Sequence, residues 1–218
     1  MNVIYDGNEI ERYLKKYEIS SCFSHTVTVF FLCFYERGEI LNHLFPPEKY
    51  LQFFLDGVLK IYSLRSDGSF YPISQGNTRT ILGDVEFCRT DNVTQFLAEA
   101  GTACTCLVLP LDSCREYLLN DPVFLRTILA SLSRKFEMFS VGEADYPTVE
   151  KRLLHYLEQE CPDGTLRDLE KATFHLHCSR RQLQRVLKSL TGRGILEHPS
   201  HGYYRRNRSG FPGRKDSL

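Results

Sequence analysis

The sequence has no long hydrophobic run, since none of its apolar stretches reaches the roughly 18 residues of a membrane-spanning helix. Its first residues, Met-Asn-Val-Ile-Tyr-Asp-Gly-Asn-Glu, are acidic and lack the basic and apolar regions of a signal peptide. These two absences predict a soluble cytoplasmic protein without a membrane partner.

Motifs of common enzyme classes are also absent. There is no phosphate-binding loop, no nucleophile elbow and no His-Glu-x-x-His zinc signature. The only His-x-His pair, His175 and His177, lies far along the chain from His25 and His43, the histidines of the strand-rich region described below. We therefore expect no catalytic residues and no metal site.

The eight cysteines lack the Cys-x-x-Cys spacing of strong metal sites. In a cytoplasmic protein they are expected to be reduced thiols. Cys104 and Cys106 are predicted to share one face of a strand, because side-chain direction repeats every two residues. Buried core thiols are the first interpretation, and a redox sensor or an iron-sulfur cluster is the alternative.

The formal net charge of zero conceals a division along the chain. Residues 1–177 contain 17 Lys and Arg against 25 Asp and Glu, whereas residues 178–215 contain ten basic residues and one acidic residue. A basic module on an acidic body is typical of nucleic-acid binders. The last residues, 209–218, have little apolar content, which predicts a disordered tail.

The strongest motif of the basic module runs from Cys178 to Leu196. Ser179 is a good helix N-cap, and one buried stripe is predicted by apolar residues at helical spacing, namely Leu183, Val186, Leu187 and Leu190. The opposite face then carries Arg180, Arg181, Gln184, Arg185 and Lys188. Because arginine can bind guanine and glutamine can bind adenine through paired hydrogen bonds, we interpret this helix as a DNA recognition helix. An ordinary surface helix with a solvated basic face is the alternative.

The residues on either side favour DNA binding. Upstream, a short helical pattern ends three residues before Ser179, as in a helix-turn-helix, and it contains Leu166, Leu169, Ala172, Thr173 and Leu176. Downstream, Ile195-Leu196 leads through a turn into Tyr203-Tyr204, which predicts the hairpin of a winged helix. Because a wing lies against DNA phosphates, His201 and Tyr203 are docking candidates. The alternative is that both are only turn residues.

Residues 26–110 consist of short β-branched, aromatic and aliphatic runs separated by turns such as Asp56-Gly57 and Asp67-Gly68. Such runs predict the strands of a sandwich or small barrel. The predicted strands are Thr26–Tyr35, Tyr50–Leu55, Val58–Leu64, Phe70–Ile73, Gln95–Ala98 and Thr105–Leu109. An amphipathic helix is predicted before them, with Ile10, Tyr13, Leu14 and Tyr17 on its apolar face.

A long helix is predicted after the strands. Asn120 or Asp121 can cap it, and Pro122 suits its first position. Its apolar residues recur at alternating spacings of four and three, which is typical of a coiled-coil seam, and they are Leu125, Leu129, Leu132, Phe136 and Phe139. A helix packed on its own β-domain is the alternative. The two-fold symmetry of helix-turn-helix proteins favours a dimer interface.

These features resemble the Crp/Fnr family of bacterial transcription regulators over nearly the whole chain. Phe53–Tyr62 is similar to the family's strand-glycine-strand segment, and Ile81–Phe87 is similar to its Gly-Glu-Leu pocket turn. Cys178–Arg180 and Arg185–Lys188 resemble its recognition helix. One branch of the family looks closest, on three segments: Asp84–Phe87, Cys106–Pro110 and Leu118–Asp121.

The resemblance implies an α+β fold in three parts. Residues 1–119 would form a cyclic-nucleotide-binding-type β-roll (a jelly roll) with an N-terminal helix, 120–143 a dimerisation helix, and 144–208 a winged helix-turn-helix domain. It also implies a homodimer that binds double-stranded DNA through the residues above and Ser179, contacts RNA polymerase, and responds to a small-molecule or redox effector. The implied effector pocket contains Gly83, Asp84, Val85, Glu86 and Thr94. The alternative is that Gly83 and Asp84 form only a structural turn.

Two departures from the family pattern limit this inference. Members that bind cyclic AMP have an Arg-Ser or Arg-Thr pair after the pocket turn, but this chain has Asn92-Val93-Thr94-Gln95. Since burying a phosphate without a cationic partner has a large desolvation cost, cyclic AMP is not expected as the ligand. His177 stands at the usual turn glycine, and histidine tolerates a positive φ less well than glycine, so a small change in the helix angle is expected.

We therefore predict a sequence-specific DNA-binding transcription regulator, not an enzyme. Two alternatives stay open. One is a cupin-like metal enzyme, because fold alone does not separate the two classes. The other is a protein-interaction module with a non-functional winged helix.

Overall fold

The computed structural model describes residues 1–64, 68, 70–89, 96–144, 148–200 and 202–207, and the side chains of 138–144 lie outside this description. The chain forms two compact units, which are residues 1–69 with 74–142, and residues 143–218 with 70–73.

The first unit is built mainly from strands. Its elements are β1 (Asn2–Ile4), α1 (Gly7–Lys16), a 3-10 turn (Ile19–Cys22), β2 (Phe31–Tyr35), α2 (Leu41–Leu44), β3 (Tyr50–Asp56), β4 (Leu59–Leu64), β5 (Phe70–Gly76), β6 (Thr80–Leu82), α3 (Asp84–Phe87), β7 (Phe96–Ala100), β8 (Cys104–Pro110), α4 (Arg115–Leu119) and α5 (Pro122–Ala144). One sheet has the order β1-β2-β8-β3-β6 and the other has the order β5-β4-β7.

Strand β8 shows why a continuous apolar run forms a central strand here. It pairs antiparallel with β2 on one side and with β3 on the other. Leu107 and Leu109 enter one hydrophobic cluster, whereas Cys106 and Val108 enter a second cluster. Because side chains alternate between the two faces of a strand, a strand buried on both faces must be apolar at every position.

Strand β2 is shorter than the sequence predicts. The run Thr26–Tyr35 suggests one strand, but β2 begins at Phe31, which is paired with Val108. Residues 26–29 precede the strand and are largely exposed. The predicted Asp67-Gly68 hairpin includes Asp67, which lies outside the described residues.

Two glycines of this unit occupy positions that only glycine fits. Gly57 connects β3 to β4 with φ +107°, and a Cβ there would lie 2.5 Å from the Ala103 carbonyl oxygen. Gly83 connects β6 to α3 with φ +88°, and a Cβ there would lie 2.6 Å from the Tyr50 carbonyl oxygen. Both distances are far inside van der Waals contact, so each turn depends on the missing side chain.

The second unit contains α6 (Val149–Gln159), β9 (Thr165–Leu166), α7 (Leu169–His175), α8 (Arg180–Gly192), β10 (Leu196–Ser200) and β11 (Tyr203–Arg206). The last two strands form a hairpin, and β9 pairs with β11 to complete a three-stranded sheet. Leu166 lies in β9 and not in α7, which corrects the predicted helical pattern. It still enters the core of this unit with the leucines of α8.

Within the described ranges, no helix combines the length and the hydrophobicity needed to span a bilayer.

Candidate nucleic-acid interface and effector cavity

Helix α8 begins with a complete capping box. The Ser179 hydroxyl accepts a hydrogen bond from the Gln182 backbone N–H at 3.2 Å, and the Ser179 N–H donates to Gln182 Oε1 at 2.9 Å. These bonds satisfy backbone groups that the first helical turn leaves free. The predicted start of the helix is therefore the observed one.

One face of α8 is fixed in the core. Leu183, Leu187 and Leu190 have no exposed surface, and Val186 is half-buried against them. This burial sets the rotation of the helix, so the predicted DNA-binding residues face solvent. All five of the predicted polar residues are exposed, namely Arg180, Arg181, Gln184, Arg185 and Lys188.

The cations on this face have no carboxylate partner among the described residues, unlike other arginines of the same unit. Arg193 contacts Glu150 at 2.8 Å and Arg205 contacts Glu197 at 3.0 Å. Arg206 likewise pairs with Glu158. We refer to Arg180, Arg181, Gln184, Arg185 and Lys188 as the α8 face. Its positive charge is free to meet an anion.

The connection between α7 and α8 has a positive backbone angle. Asp168 caps α7 through the Lys171 N–H, and Cys178 N–H donates to the Thr173 carbonyl at 3.1 Å as the chain turns. His177 has φ +42°, a region that most side chains avoid. The sequence predicted a small change in the helix angle here, because His177 replaces the usual turn glycine.

The predicted wing is the β10–β11 hairpin. Ser200 pairs with Tyr203, so the connection is a tight one. Tyr203 is 43% exposed, and the Tyr204 ring lies near the His198 ring, tilted by 31°, with 4.5 Å between ring centroids. His201 lies outside the described residues.

Helix α5 has one buried and one exposed face. Phe124 and Ile128 enter the core of the first unit. On the predicted seam, Leu125, Leu129 and Phe136 are 38%, 68% and 72% exposed. Leu132 differs, because it packs partly buried against the same core, and the Phe139 side chain lies outside the described part.

A cavity of about 600 Å³ lies beneath α5 in the first unit. Four of the predicted pocket residues line it, namely Gly83, Asp84, Val85 and Glu86. The fifth, Thr94, and the rest of Asn92–Gln95 lie outside the described residues.

Asp84 is bound on both carboxylate oxygens. Its Oδ1 accepts from the Lys135 ammonium at 2.5 Å, and its Oδ2 accepts from the Ser131 hydroxyl at 2.7 Å. Lys135 also donates to the Ile81 carbonyl oxygen at 2.6 Å. This Asp84–Ser131–Lys135 cluster ties α5 to the pocket turn. The sequence analysis missed Ser131 and Lys135, although their spacing of four places them on the same side of α5.

The cysteines of the first unit lie mainly in its core. Cys33, Cys104 and Cys106 share one hydrophobic cluster, and Cys33 is directly opposite Cys106 on the neighbouring strand. Burial raises the pKa of the Cys106 thiol well above its ordinary value, which favours the unreactive thiol form. In the described part of the chain, no group of three or more His, Cys, Asp or Glu residues is placed to hold a metal ion.

Comparison with solved structures identifies the fold. The global regulator CLP of Xanthomonas campestris, described as responsive to c-di-GMP, matches with a TM-score of 0.63 and 18% identity over 93% of this chain and all of that one. A transcriptional regulator of the Crp/Fnr family from Eubacterium rectale matches with a TM-score of 0.58 and 15% identity over 83% and 87% of the two chains. The β-roll, the long helix and the winged helix-turn-helix therefore form the α+β fold of Crp/Fnr regulators, as the sequence predicted.

A sequence relative supports the same resemblance more specifically. Regulatory protein YeiL of Escherichia coli O157:H7 is 26% identical over 183 residues, which cover 83% of each chain. YeiL typifies the branch of the family to which the three sequence segments looked closest. No family model matches the sequence.

Proposed function

We propose that this protein is a sequence-specific DNA-binding transcription regulator that acts as a homodimer. The observation that carries the proposal is the α8 face, an exposed row of cations without carboxylate partners in the described structure, presented by a capped helix whose other side is buried. Similar proteins are regulators by name.

Within the α8 face, Arg180, Arg181 and Arg185 would contact bases and phosphates, and Gln184 would read adenine. Lys188 suits a phosphate contact, because its ammonium is a point charge on a flexible stem. Ser179 lies at the start of this helix, the end that would be nearest the DNA groove. His201 and Tyr203 would dock the wing on the phosphate backbone.

The dimer interface in this proposal is the exposed seam of α5. Leu129 and Phe136 are large apolar side chains left mostly in water, and pairing with a second copy would remove them from it. A two-fold dimer would present two α8 faces about 34 Å apart, as successive major grooves require. Leu132 supports the seam less, since it packs on its own unit.

Three parts of the chain would have separate functions. Residues 1–119 would receive an effector or a redox signal, 120–143 would join the copies, and 144–208 would bind DNA and bring RNA polymerase to a promoter in the cytoplasm. The tail 209–218 lies outside the described residues. An effector drives such a switch only by binding one conformation more tightly than the other.

Selection of bound fragments from genomic DNA, with purified protein prepared with and without oxygen, tests this function. We expect a two-fold symmetric operator whose half-sites are centred about ten base pairs, or a multiple of that turn, apart. An enrichment that changes with oxygen would implicate the thiols. Recovery of fragments without a shared motif would refute sequence-specific recognition.

A further inference from the structure

The cavity beneath α5 has the volume and the apolar lining of a small-molecule binding site. Its volume of about 600 Å³ falls within the usual range for ligand pockets. Apolar side chains from three strands and from α5 line it, namely Leu59, Ile61, Leu82, Phe96, Ala98 and Leu132. Such walls favour a ligand whose body is hydrophobic.

Two residues that line the same cavity carry buried hydrogen-bond acceptors. Glu86 is only 7% exposed, and its carboxyl group accepts a hydrogen bond from its own backbone amide and from no side chain among the described residues. Gln75 Oε1 is fully buried and is the one such side-chain atom, in the part of the chain that the structure describes, without a hydrogen-bond partner. Burial raises the pKa of Glu86. A buried acceptor without a donor is unfavourable, so both groups are suited to a donor supplied by a ligand.

The cations near the cavity are not available inside it. The Lys135 ammonium binds Asp84 and the Ile81 carbonyl oxygen. Arg79 and Arg134 also line the cavity but are exposed to solvent, and the Arg79 guanidinium lies over the Tyr17 ring. The buried polar groups of Glu86 and Gln75 are acceptors, and the Glu86 carboxyl disfavours a bound anion.

We propose that this cavity binds a largely apolar molecule whose polar end is a hydrogen-bond donor, an amine or an alcohol, held by Glu86 and Gln75. The inference rests on the proposed function, because it names the chemical class of effector that the β-roll would take. The same arrangement disfavours an anionic ligand such as a carboxylate or a phosphate ester.

Three probes of matched size test the class directly: naphthylmethylamine, naphthalenemethanol and naphthoate. Isothermal titration calorimetry on the full chain, without DNA, is expected to show the amine and the alcohol binding at least about ten-fold more tightly than naphthoate. Glu86→Gln keeps the shape of the side chain and is expected to weaken the amine by about ten-fold. Gln75→Leu should weaken the amine and the alcohol, and Glu116→Gln, at an exposed position on α4, is the matched control.

The inference is overturned if naphthoate binds as tightly as the amine, if no probe binds, or if Glu86→Gln and Gln75→Leu both leave the affinities unchanged. Urea unfolding of each variant checks that a loss of binding does not come from a loss of folding. Operator binding by the same preparations separates the two proposals. Protein that binds its operator but none of the probes refutes only the ligand class, and protein that binds the amine but no DNA refutes the proposed function.

Discussion

Individual arginines of the second unit differ in whether a carboxylate neutralises them. Arg193 pairs with Glu150, which helps to join α6 to the end of α8. Arg181 and Arg185 have no such partner among the described residues. An unpaired exposed guanidinium keeps all of its donors for DNA, so we assign different roles to arginines that lie close together in the sequence.

Substitutions on the α8 face should distinguish residues that recognise bases from residues that contact phosphates. Arg181→Ala and Arg185→Ala are expected to abolish the preference for operator over scrambled DNA, because each lost base contact removes about 1–3 kcal/mol of discrimination. Lys188→Ala should weaken binding to both DNAs about equally. Fluorescence anisotropy with the two duplexes measures this.

Arg193→Ala is the matched control, since its guanidinium already pairs with Glu150. It should leave the preference for operator intact. Unchanged binding to both duplexes by all three α8 variants would contradict the assignment of this helix to DNA binding.

Asp121 is a buried carboxylate that holds the start of α5. It accepts hydrogen bonds from the backbone N–H and the hydroxyl of Ser24, and from the N–H groups of Val123 and Phe124. Burial raises the pKa of Asp121, but these hydrogen bonds outweigh it and lower the pKa to about 2. The ionised form is therefore favoured by folding.

The free energy of unfolding should therefore fall in acid as Asp121 becomes protonated. Because the pKa is lower in the folded state, the contribution of Asp121 is complete above the ordinary value of 3.8 and is lost as the pH falls toward about 2. Urea unfolding between these pH values should show a shallower loss of stability for Asp121→Asn than for the unchanged chain. The same slope in both proteins would contradict the role of Asp121, and Asp112→Asn, at an exposed aspartate, is the control.

At the scale of elements, α5 connects two surfaces with different chemistry. One face carries Phe124, Ile128 and the Asp84–Ser131–Lys135 cluster. The adjacent face carries the seam, of which Leu132 and Phe136 also line the cavity. We therefore propose that a change at the cavity is transmitted to the seam through this helix.

Loss of the Asp84–Ser131–Lys135 cluster should loosen α5 from the pocket turn. Asp84→Asn is expected to lower the free energy of unfolding by about 2–3 kcal/mol, because it leaves the Lys135 ammonium without its counter-charge. Ser131→Ala should cost about 1 kcal/mol through one lost hydrogen bond. Urea denaturation measures both, Ser133→Ala serves as an exposed control on the same helix, and equal midpoints for all four proteins would refute the role of the cluster.

The exposed seam should control the oligomeric state. Leu129→Glu or Phe136→Glu is expected to convert a dimer to a monomer in analytical ultracentrifugation, because the charge would be buried at the interface, and to weaken operator binding. Ala130→Glu adds the same charge at the neighbouring exposed position and should leave the dimer intact. A chain that is monomeric before any substitution would contradict the seam.

Elements differ in how far local sequence predicts them. The limits of α8 follow from Ser179 and the leucine spacing, which act within one helical turn. Strand β2 begins later than its β-branched residues suggest, because its pairing with β8 starts only at the Phe31–Val108 pair. Neighbouring strands far along the chain set this limit, so propensity does not reveal it.

For the whole molecule, charge is divided between an acidic body and a basic end. Residues 178–215 have ten basic residues and one acidic residue. Affinity for any duplex should therefore fall steeply as salt rises, with a logarithmic slope of about −0.9 for each phosphate contacted. Titrations at several salt concentrations measure the slope, and an affinity that does not change with salt would contradict phosphate docking by this end.

The sequence by itself determined the α8 face, since its cap, its buried stripe and its cations are all read within one short helix. It also determined the order of strands, long helix and winged helix-turn-helix, because each has its own periodicity. Only the tertiary structure decided that Asp84 is held by Lys135, 51 residues away, and that Glu86 and Gln75 line one cavity. The reason is physical: the partner of a buried polar group depends on which distant segments pack together, and residue spacing along the chain carries no information about that packing.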